Sequence, residues 1–228
     1  MLNKKQSKLE VACFNIESAI VALNAEVDRI EYCNGLAVGG VTPTKEEVRF
    51  LKNHTSIPIY VMIRPRGGDF CYNDDEFETM KSQISMFKKL NVDGFVFGIL
   101  NEQLDVNEKH NKVLIDLAHP KPCTFHRAFD RVENFEKSLE KIIICGFKTI
   151  LTSAGESNAL KGLATLKTLK TLANDRIQIM PGGGVRSTNL QDLMALKFDF
   201  YHTSGLLPNH DIANLDELKN CLNILNEE

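Results

Sequence analysis

Ionisable side chains recur inside several short segments that the sequence predicts to be β-strands. Successive side chains of a strand point to opposite faces, so the apolar residues of a segment mark the face that packs under helices. In the first segment Leu9 and Val11 form that face, and Glu10 therefore points the other way. The same alternation assigns the following residues to the inward face, with the face of the last one left open: Glu10, Arg29, Glu31, Cys33, Arg64, His126 and His202.

This inward set has two interpretations. Buried charges are costly unless they are paired, so the glutamates can simply neutralise Arg29 and Arg64 in a core network. The interior of a barrel of strands is usually filled by branched aliphatic residues, and this many ionisable groups favours a functional site.

Arginine and glycine residues follow two of the predicted strands. Arg64 and Arg66 stand beside a glycine pair, and their fork-shaped donors suit a phosphate or a carboxylate. Another glycine run, 182–184, follows the seventh strand, where glycine lets backbone amides approach an anion. The sequence predicts an anion-binding site drawn from these residues: Arg29, Arg64, Arg66, Thr152, Gly182, Gly183, Gly184, His202 and Ser204.

The string His126-Arg127-Ala128-Phe129-Asp130 places a histidine near a carboxylate, a combination that can act as an acid/base pair. Together with Glu10 and Glu31, His126 and Asp130 are the predicted catalytic residues. The sequence has no nucleophile elbow, no nucleotide-binding loop and no lysine in a clear inward position. The predicted chemistry is therefore proton transfer, isomerisation or carbon–carbon bond cleavage.

The elements that must position these residues alternate from end to end. Strands are predicted at Leu9–Cys13, Arg29–Cys33, Ile57–Arg64, Gly94–Leu100, Thr124–Phe129, Thr149–Ser153, Ile177–Pro181 and Phe198–Ser204. The helices between them carry start and stop signals: Thr44 with Glu47 fits a capping box, Asn134 and Gly146 bound 135–145, and another helix is predicted over 158–174. Eight such units predict an α/β fold, a single (β/α)8 TIM-type barrel domain spanning 1–228, with an open doubly wound sheet as the alternative.

Net charge, apolar run length and cysteine spacing argue against several classes of partner and site. The 228 residues carry a net charge of −3, which gives no basic footprint for nucleic acid. The apolar runs are too short to span a membrane and no signal peptide is evident, so we expect a cytoplasmic protein. The six cysteines include no Cys-x-x-Cys pair, which argues against a zinc module or a disulfide scaffold.

Several strings that occur in order over nearly the whole chain resemble the CutC copper homeostasis family. The longest are Val61–Phe70, which reads VMIRPRGGDF, and Thr124–Asp130, which reads TFHRAFD. The resemblance implies a (β/α)8 barrel, a cytoplasmic location, a homo-oligomer such as a dimer or tetramer, and a role in copper homeostasis. It also implies Cu(I) bound by Cys13 and Cys33, with no organic cofactor; thiolates suit this soft ion.

Two functions therefore stand side by side at this point. One is a Cu(I)-binding protein of copper tolerance, and the other is a barrel enzyme acting on a small anionic, phosphorylated metabolite. A non-catalytic binding module is a third reading, because barrels host many functions. The residues themselves leave open whether the chain is an enzyme.

Overall fold

Strands and helices alternate throughout residues 7–227, the part of the chain that the computed structural model describes. The strands are β1 (Lys8–Cys13), β2 (Arg29–Tyr32), β3 (Ile59–Met62), β4 (Gly94–Phe97), β5 (Cys123–Phe125), β6 (Thr149–Thr152), β7 (Gln178–Pro181) and β8 (Phe200–Thr203). The helices are α1 (Ile16–Ala25), α2 (Lys45–His54), α3 (Asp74–Lys89), α4 (Glu108–Ala118), α5 (Phe135–Cys145), α6 (Leu163–Ala173), α7 (Ser187–Met194) and α8 (Leu215–Asn226).

The eight strands form one parallel sheet in the order β7-β6-β5-β4-β3-β2-β1-β8. The two end strands, β7 and β8, pack side by side and so bring the sheet round into a nearly closed ring. The predicted (β/α)8 TIM-type barrel is confirmed. Because parallel strands carry their C-terminal ends at one face, every loop that follows a strand opens at the same mouth.

Local signals account for several element boundaries. Thr44 caps α2 in a capping box with Glu47, as predicted, and Gly146 ends α5 in a left-handed conformation with φ of 99°. The helix predicted over 158–174 begins only at Leu163. The preceding residues are held in a loop at the mouth, where the Ala159 amide donates to the carbonyl of Gly183.

Six of the eight strands end earlier than predicted, and β5 shows a physical reason for its own early end. The side chain of His126 accepts a hydrogen bond from the amide of Ala128 and so starts a 3-10 helix over Arg127–Arg131. The predicted strand Thr124–Phe129 is therefore wrong beyond Phe125. His126 becomes the hinge residue at which the chain turns over the mouth of the barrel.

Each strand has one face that packs under the helices and one face that points into the barrel. Outward-facing residues such as Val11, Ile30 and Val61 are completely buried beneath the helices and form the large apolar core. In the strand register Glu10 lies beside Arg29 on one side and His202 on the other, so charged residues meet inside the barrel. Within residues 7–227, none of the helices has both the length and the apolar character that a membrane crossing requires.

Candidate functional site

The lower interior of the barrel holds a buried charge pair. The Nε atom of Arg29 donates to Oε2 of Glu10, and both side chains are almost fully buried. The guanidinium of Arg29 is sandwiched between the rings of Tyr60, at 4.3 Å, and Phe200, at 3.9 Å. Burial opposes ionisation of Glu10, but the charges and hydrogen bonds of Arg29 and His202 outweigh it and lower the pKa of this carboxyl.

His202 forms a hydrogen bond with the other carboxylate oxygen of Glu10. Its Nδ1 lies 2.8 Å from Glu10 Oε1. Burial alone would lower the pKa of this imidazole, but the neighbouring carboxylates of Glu31 and Glu10 raise it above its ordinary value. His202 donates from Nδ1 to the Glu10 carboxylate, which can only accept, and it also lines the cavity at the mouth.

Glu31 lies close to this pair, with a carboxylate oxygen within 4.8 Å of ligand atoms of Glu10 and His202. Its side chain is 3% exposed, and its Oε2 makes no hydrogen bond within the described part of the chain. Burial raises its pKa to about 7; the charge of Glu10 adds to the rise, while His202 and Arg29 oppose it. Glu31 can therefore both take and give a proton near neutral pH.

A metal ion is the alternative occupant of this layer. One ligand atom each from Glu10, Glu31 and His202 lies within 4.8 Å of the others. Carboxylate and imidazole donors suit a divalent ion better than Cu(I). Both oxygens of Glu10 are already engaged by Arg29 and His202, so Glu10 is satisfied without an ion, whereas Oε2 of Glu31 makes no hydrogen bond within the described residues.

His126 faces the same space in its neutral form. Burial, followed by the charge of Arg64, lowers its pKa to about 3. Because its Nδ1 accepts from the Ala128 amide, the proton of the ring sits on Nε2, which has no partner among the described residues. Gly98 makes room for the ring, since a Cβ there would lie 2.9 Å from Nδ1.

Glu31, His126 and His202 line one cavity of about 250 Å³ at the C-terminal ends of the strands. This volume is small beside that of a typical drug-sized pocket and suits a small metabolite. The ionisable residues of its lining are Glu31, Arg64, His126, Arg127, Arg186 and His202. The lining thus contains three arginines and one carboxylate. Arg127 also pairs with Asp130 outside the lining, so Arg64 and Arg186 are the arginines that make the cavity attractive to anions.

Arg64 is built into the wall of the cavity. Its Nη1 donates to the carbonyls of Val38 and Gly40, at 2.7 and 2.8 Å, and its Nη2 donates to that of Gly68 at 3.0 Å. Its side chain thereby fastens two loops over the mouth. Its charge faces neutral carbonyl groups, so it still contributes a positive potential to the cavity.

The loop after β7 forms the opposite wall. Gly183 and Gly184 line the cavity with φ angles of 93° and 69°, a conformation that favours glycine. Arg186, two residues further on, donates from Nη1 to Thr203 Oγ1 at 3.1 Å. Ser204, one of the residues predicted to bind an anion, also lines the cavity.

Other predicted site residues lie outside the cavity lining. Arg66 pairs with Asp69 and Glu76 on the loop and the start of α3. Asp130 accepts hydrogen bonds from the hydroxyl of Thr152 and pairs with Arg127 at 2.7 Å. The structure thus places Asp130 and Thr152 behind Arg127, where they orient it. Gly182 packs against His202, which a Cβ would approach to 3.2 Å, and Arg29 lies in the layer below.

The two predicted copper ligands are strand neighbours whose side chains lie in different clusters. Cys13 belongs to the outer core under the helices, whereas Cys33 packs with Met62 and Val96 inside the barrel. The Cys33 amide donates to the Cys13 carbonyl at 3.0 Å. Burial raises the pKa of both thiols, so forming the thiolates that Cu(I) prefers costs free energy.

Sequence reasoning missed Arg127 and Arg186 as site residues. Arg186 follows the glycine run by only two positions, and Arg127 adjoins His126. Their closeness in the sequence to predicted site residues could have identified them. Both residues lie beyond a strand end, where alternation no longer tells which side chain points inward.

Comparison with known proteins agrees with this architecture. Residues 7–205 match the CutC family. The human copper homeostasis protein cutC homolog is 44% identical over 186 residues, which cover 82% of this chain and 68% of the relative. A Proteus mirabilis family protein CutC is 40% identical over 199 residues, covering 87% of this chain and 79% of that one.

A solved structure supports the same assignment. The crystal structure of the putative copper homeostasis protein CutC from Streptococcus agalactiae superimposes with a TM-score of 0.81 at 32% identity, covering 87% of this chain and 98% of that one. A 3-hexulose-6-phosphate synthase from Salmonella typhimurium, 15% identical with a TM-score of 0.67 over 96% of this chain and 99% of that one, shares the fold alone. On the family match and on the extent of these identities, the chain belongs to the CutC family.

Proposed function

We propose that the mouth of the barrel is the active site of an enzyme that transfers a proton on a small anionic metabolite. The observation that carries this proposal is the pair of unpartnered polar atoms, Glu31 Oε2 and His126 Nε2, on residues that line one cavity. Buried polar atoms without partners are rare in folded proteins, and each calls for an explanation. A bound substrate would satisfy both.

The chemistry follows from the protonation states. The Glu31 carboxylate takes a proton from a carbon next to a carbonyl group of the substrate, and the electron pair of that C–H bond moves to the carbonyl oxygen. The Nε2–H group of the neutral His126 donates a hydrogen bond to the oxygen where negative charge develops. Glu31 then returns the proton to the former carbonyl carbon, while the proton of the adjacent hydroxyl group moves to the former carbonyl oxygen. The carbonyl group is thereby shifted by one carbon, and no proton is consumed.

The electrostatic setting supports Glu31 in this role. A pKa of about 7 keeps both protonation states of Glu31 populated at neutral pH. The groups that face it are Glu10, Arg29 and His202, and the first two already neutralise each other. The carboxylates of Glu31 and Glu10 raise the pKa of His202, which favours its charged form, and a positive charge on this ring would stabilise an anionic intermediate.

The test is exchange of hydrogen with solvent. Aldose and ketose phosphates of three to six carbons are incubated with the full chain in heavy water, and proton NMR follows loss of the signals next to the carbonyl group. We expect exchange on at least one compound, lost in Glu31→Gln. Glu46→Gln, on the exposed surface of α2, is the matched control and should retain it. Equal exchange rates in both variants, or no exchange on any compound that binds, contradicts the proposal.

Cu(I) binding is the second candidate, and one observation favours it. Cys33 shares an interior cluster with Met62, which lines the cavity, so two soft sulfur donors lie next to the mouth. Relatives of this chain carry the name copper homeostasis protein. In competition with a Cu(I) chelator, Cys33→Ser should release the ion while Cys221→Ser, a buried cysteine of α8, should not. An unchanged affinity in Cys33→Ser removes this role.

We also propose that the protein acts in the cytoplasm. All six cysteines are unpaired, which is the usual state of thiols in a reducing compartment. Fractionation of cells that express the chain tests the location. The homo-oligomer stays a prediction, for which light scattering of the purified chain is the measurement.

A further inference from the structure

The side of the mouth formed by the loops after β7 and β8 carries hydrogen-bond donors that the fold does not use. We call the set formed by Gly183, Gly184, Arg186 and Ser204 the β7–β8 cluster. All four residues line the cavity that also contains Glu31. The amides of Gly183 and Gly184 are the unused donors on this side, whereas the Nη atoms of Arg64 across the mouth donate to backbone carbonyls.

Arg186 is a cation held in place by neutral groups. Its Nη1 donates to the Val185 carbonyl at 2.7 Å and to Thr203 Oγ1 at 3.1 Å, and its Nη2 donates to Ser204 Oγ at 3.4 Å. Within residues 7–227 no carboxylate forms an ion pair with it. These contacts fix the guanidinium without neutralising it, which is the state that an anion-binding arginine requires.

The glycine backbone adds donors of its own. The carbonyls of Gly183 and Gly184 are used, since they accept from the Ala159 amide and the Asn189 side chain. Their N–H groups make no hydrogen bond within the described residues. A Cβ on Gly183 would meet the guanidinium carbon of Arg127 at 3.2 Å, so Arg127 lies directly against this loop.

Arg127 is itself anchored for this position. Asp130 accepts from its Nε at 2.7 Å, and Ser153 Oγ accepts from its Nη2 at 2.9 Å. Asp130 in turn receives hydrogen bonds from the amides of Ser153 and Gly155. A second arginine is thus held at the edge of the β7–β8 cluster.

We propose that the β7–β8 cluster binds the phosphate group of a phosphate monoester. A phosphate has three terminal oxygens, and the cluster offers three kinds of donor: two backbone amides, a guanidinium and a hydroxyl. A carboxylate has only two oxygens and would leave part of this set unsatisfied. The inference rests on the proposed function in one respect, that the rest of the substrate extends from this cluster towards Glu31.

Inorganic phosphate is the probe, titrated calorimetrically into the full chain at constant ionic strength. We expect saturable binding that is weakened at least about tenfold in Arg186→Gln, because a hydrogen bond to a charged group is lost. Arg49→Gln removes the same charge from the exposed surface of α2 and should bind as the unsubstituted chain does. Sodium acetate in place of phosphate should bind more weakly than phosphate.

Ser204→Ala keeps the test decisive if Arg186→Gln fails to fold. This smaller change should weaken phosphate binding by about twofold to tenfold. The inference is overturned if the unsubstituted chain shows no saturable binding, if neither Arg186→Gln nor Ser204→Ala weakens it, or if acetate binds as tightly as phosphate.

The same titration on Glu31→Gln separates the two proposals. Phosphate binding should persist in this variant because Glu31 is not part of the β7–β8 cluster. If phosphate binds with the expected dependence on Arg186 while no Glu31-dependent exchange is found, the enzyme proposal fails and the phosphate site stands.

Discussion

Replacing Arg29 by methionine tests whether the barrel interior depends on one buried ion pair. The substitution keeps an apolar stem between the rings of Tyr60 and Phe200 but removes the cation from Glu10. Breaking a buried pair by removing one partner costs about 3–5 kcal/mol. The lost contacts with two aromatic faces add about 1 kcal/mol each, part of which the methionine side chain recovers. We expect a loss of about 5 kcal/mol in the free energy of unfolding at pH 7.

The pH dependence has a definite sign. The folded-state pKa of Glu10 is lowered, so its contribution to stability is present above the unfolded pKa and is lost as pH falls through the folded value. Without Arg29 that pKa rises, and a protonated Glu10 no longer needs a cation. The destabilisation by Arg29→Met should therefore be largest at neutral pH and smaller at pH 4.5.

Urea unfolding followed by circular dichroism at the two pH values measures this difference. Arg176→Met is the matched control, since it removes an arginine from an ion pair with Glu140 on the solvent-exposed surface and should change stability little. In the double variant Arg29→Met with Glu10→Gln, part of the loss should be recovered. A destabilisation of Arg29→Met no larger than that of the control, or one independent of pH, refutes the reasoning.

Three further predictions concern stability. Glu31→Gln should raise the free energy of unfolding at pH 8 by about 3 kcal/mol, because a carboxyl whose pKa rises from 4.5 to about 7 on folding loses stability as pH rises between these values; urea unfolding should show the gain vanish near pH 4. Gly98→Ala places a Cβ 2.9 Å from Nδ1 of His126 and should cost about 1–3 kcal/mol with a shift of the imidazole NMR signals; unchanged signals would contradict this contact. Thr44→Ala removes the capping box with Glu47 and should lower stability by about 1 kcal/mol in the same assay, whereas an unaltered midpoint would show that the cap contributes nothing.

The alternation of apolar and ionisable residues predicted side-chain direction correctly in strands where each face carried one residue type. Leu9 and Val11 around Glu10, and Ile30 between Arg29 and Glu31, predicted three interior ionisable residues that the structure does bury. The eight-stranded barrel followed from a second pattern, the alternation of eight strand and helix segments along the chain. Both patterns can be read from the order of residues alone.

The contacts of the loop residues depend on long-range geometry, which a sequence pattern does not contain. Arg64 binds carbonyls of residues 38 and 40, which lie in a loop that folds back over the mouth. Arg66 pairs with Glu76, which caps the start of α3. Arg186 enters the cavity after the chain has left β7, where no alternation applies.

The strand register explains why the pKa of Glu10 is lowered while that of Glu31 is raised to about 7. Arg29 lies beside Glu10 in the register of β1 and β2, whereas Glu31 lies beside Ala12 and Tyr60. Glu10 therefore receives Arg29 on one oxygen and His202 on the other. The opposite assignment would leave Arg29 buried beside a neutral carboxyl, which is far costlier than leaving Glu31 protonated. Burial thus raises the pKa of Glu31 to about 7, and the strand register places beside it no cation that would offset this effect as Arg29 does for Glu10.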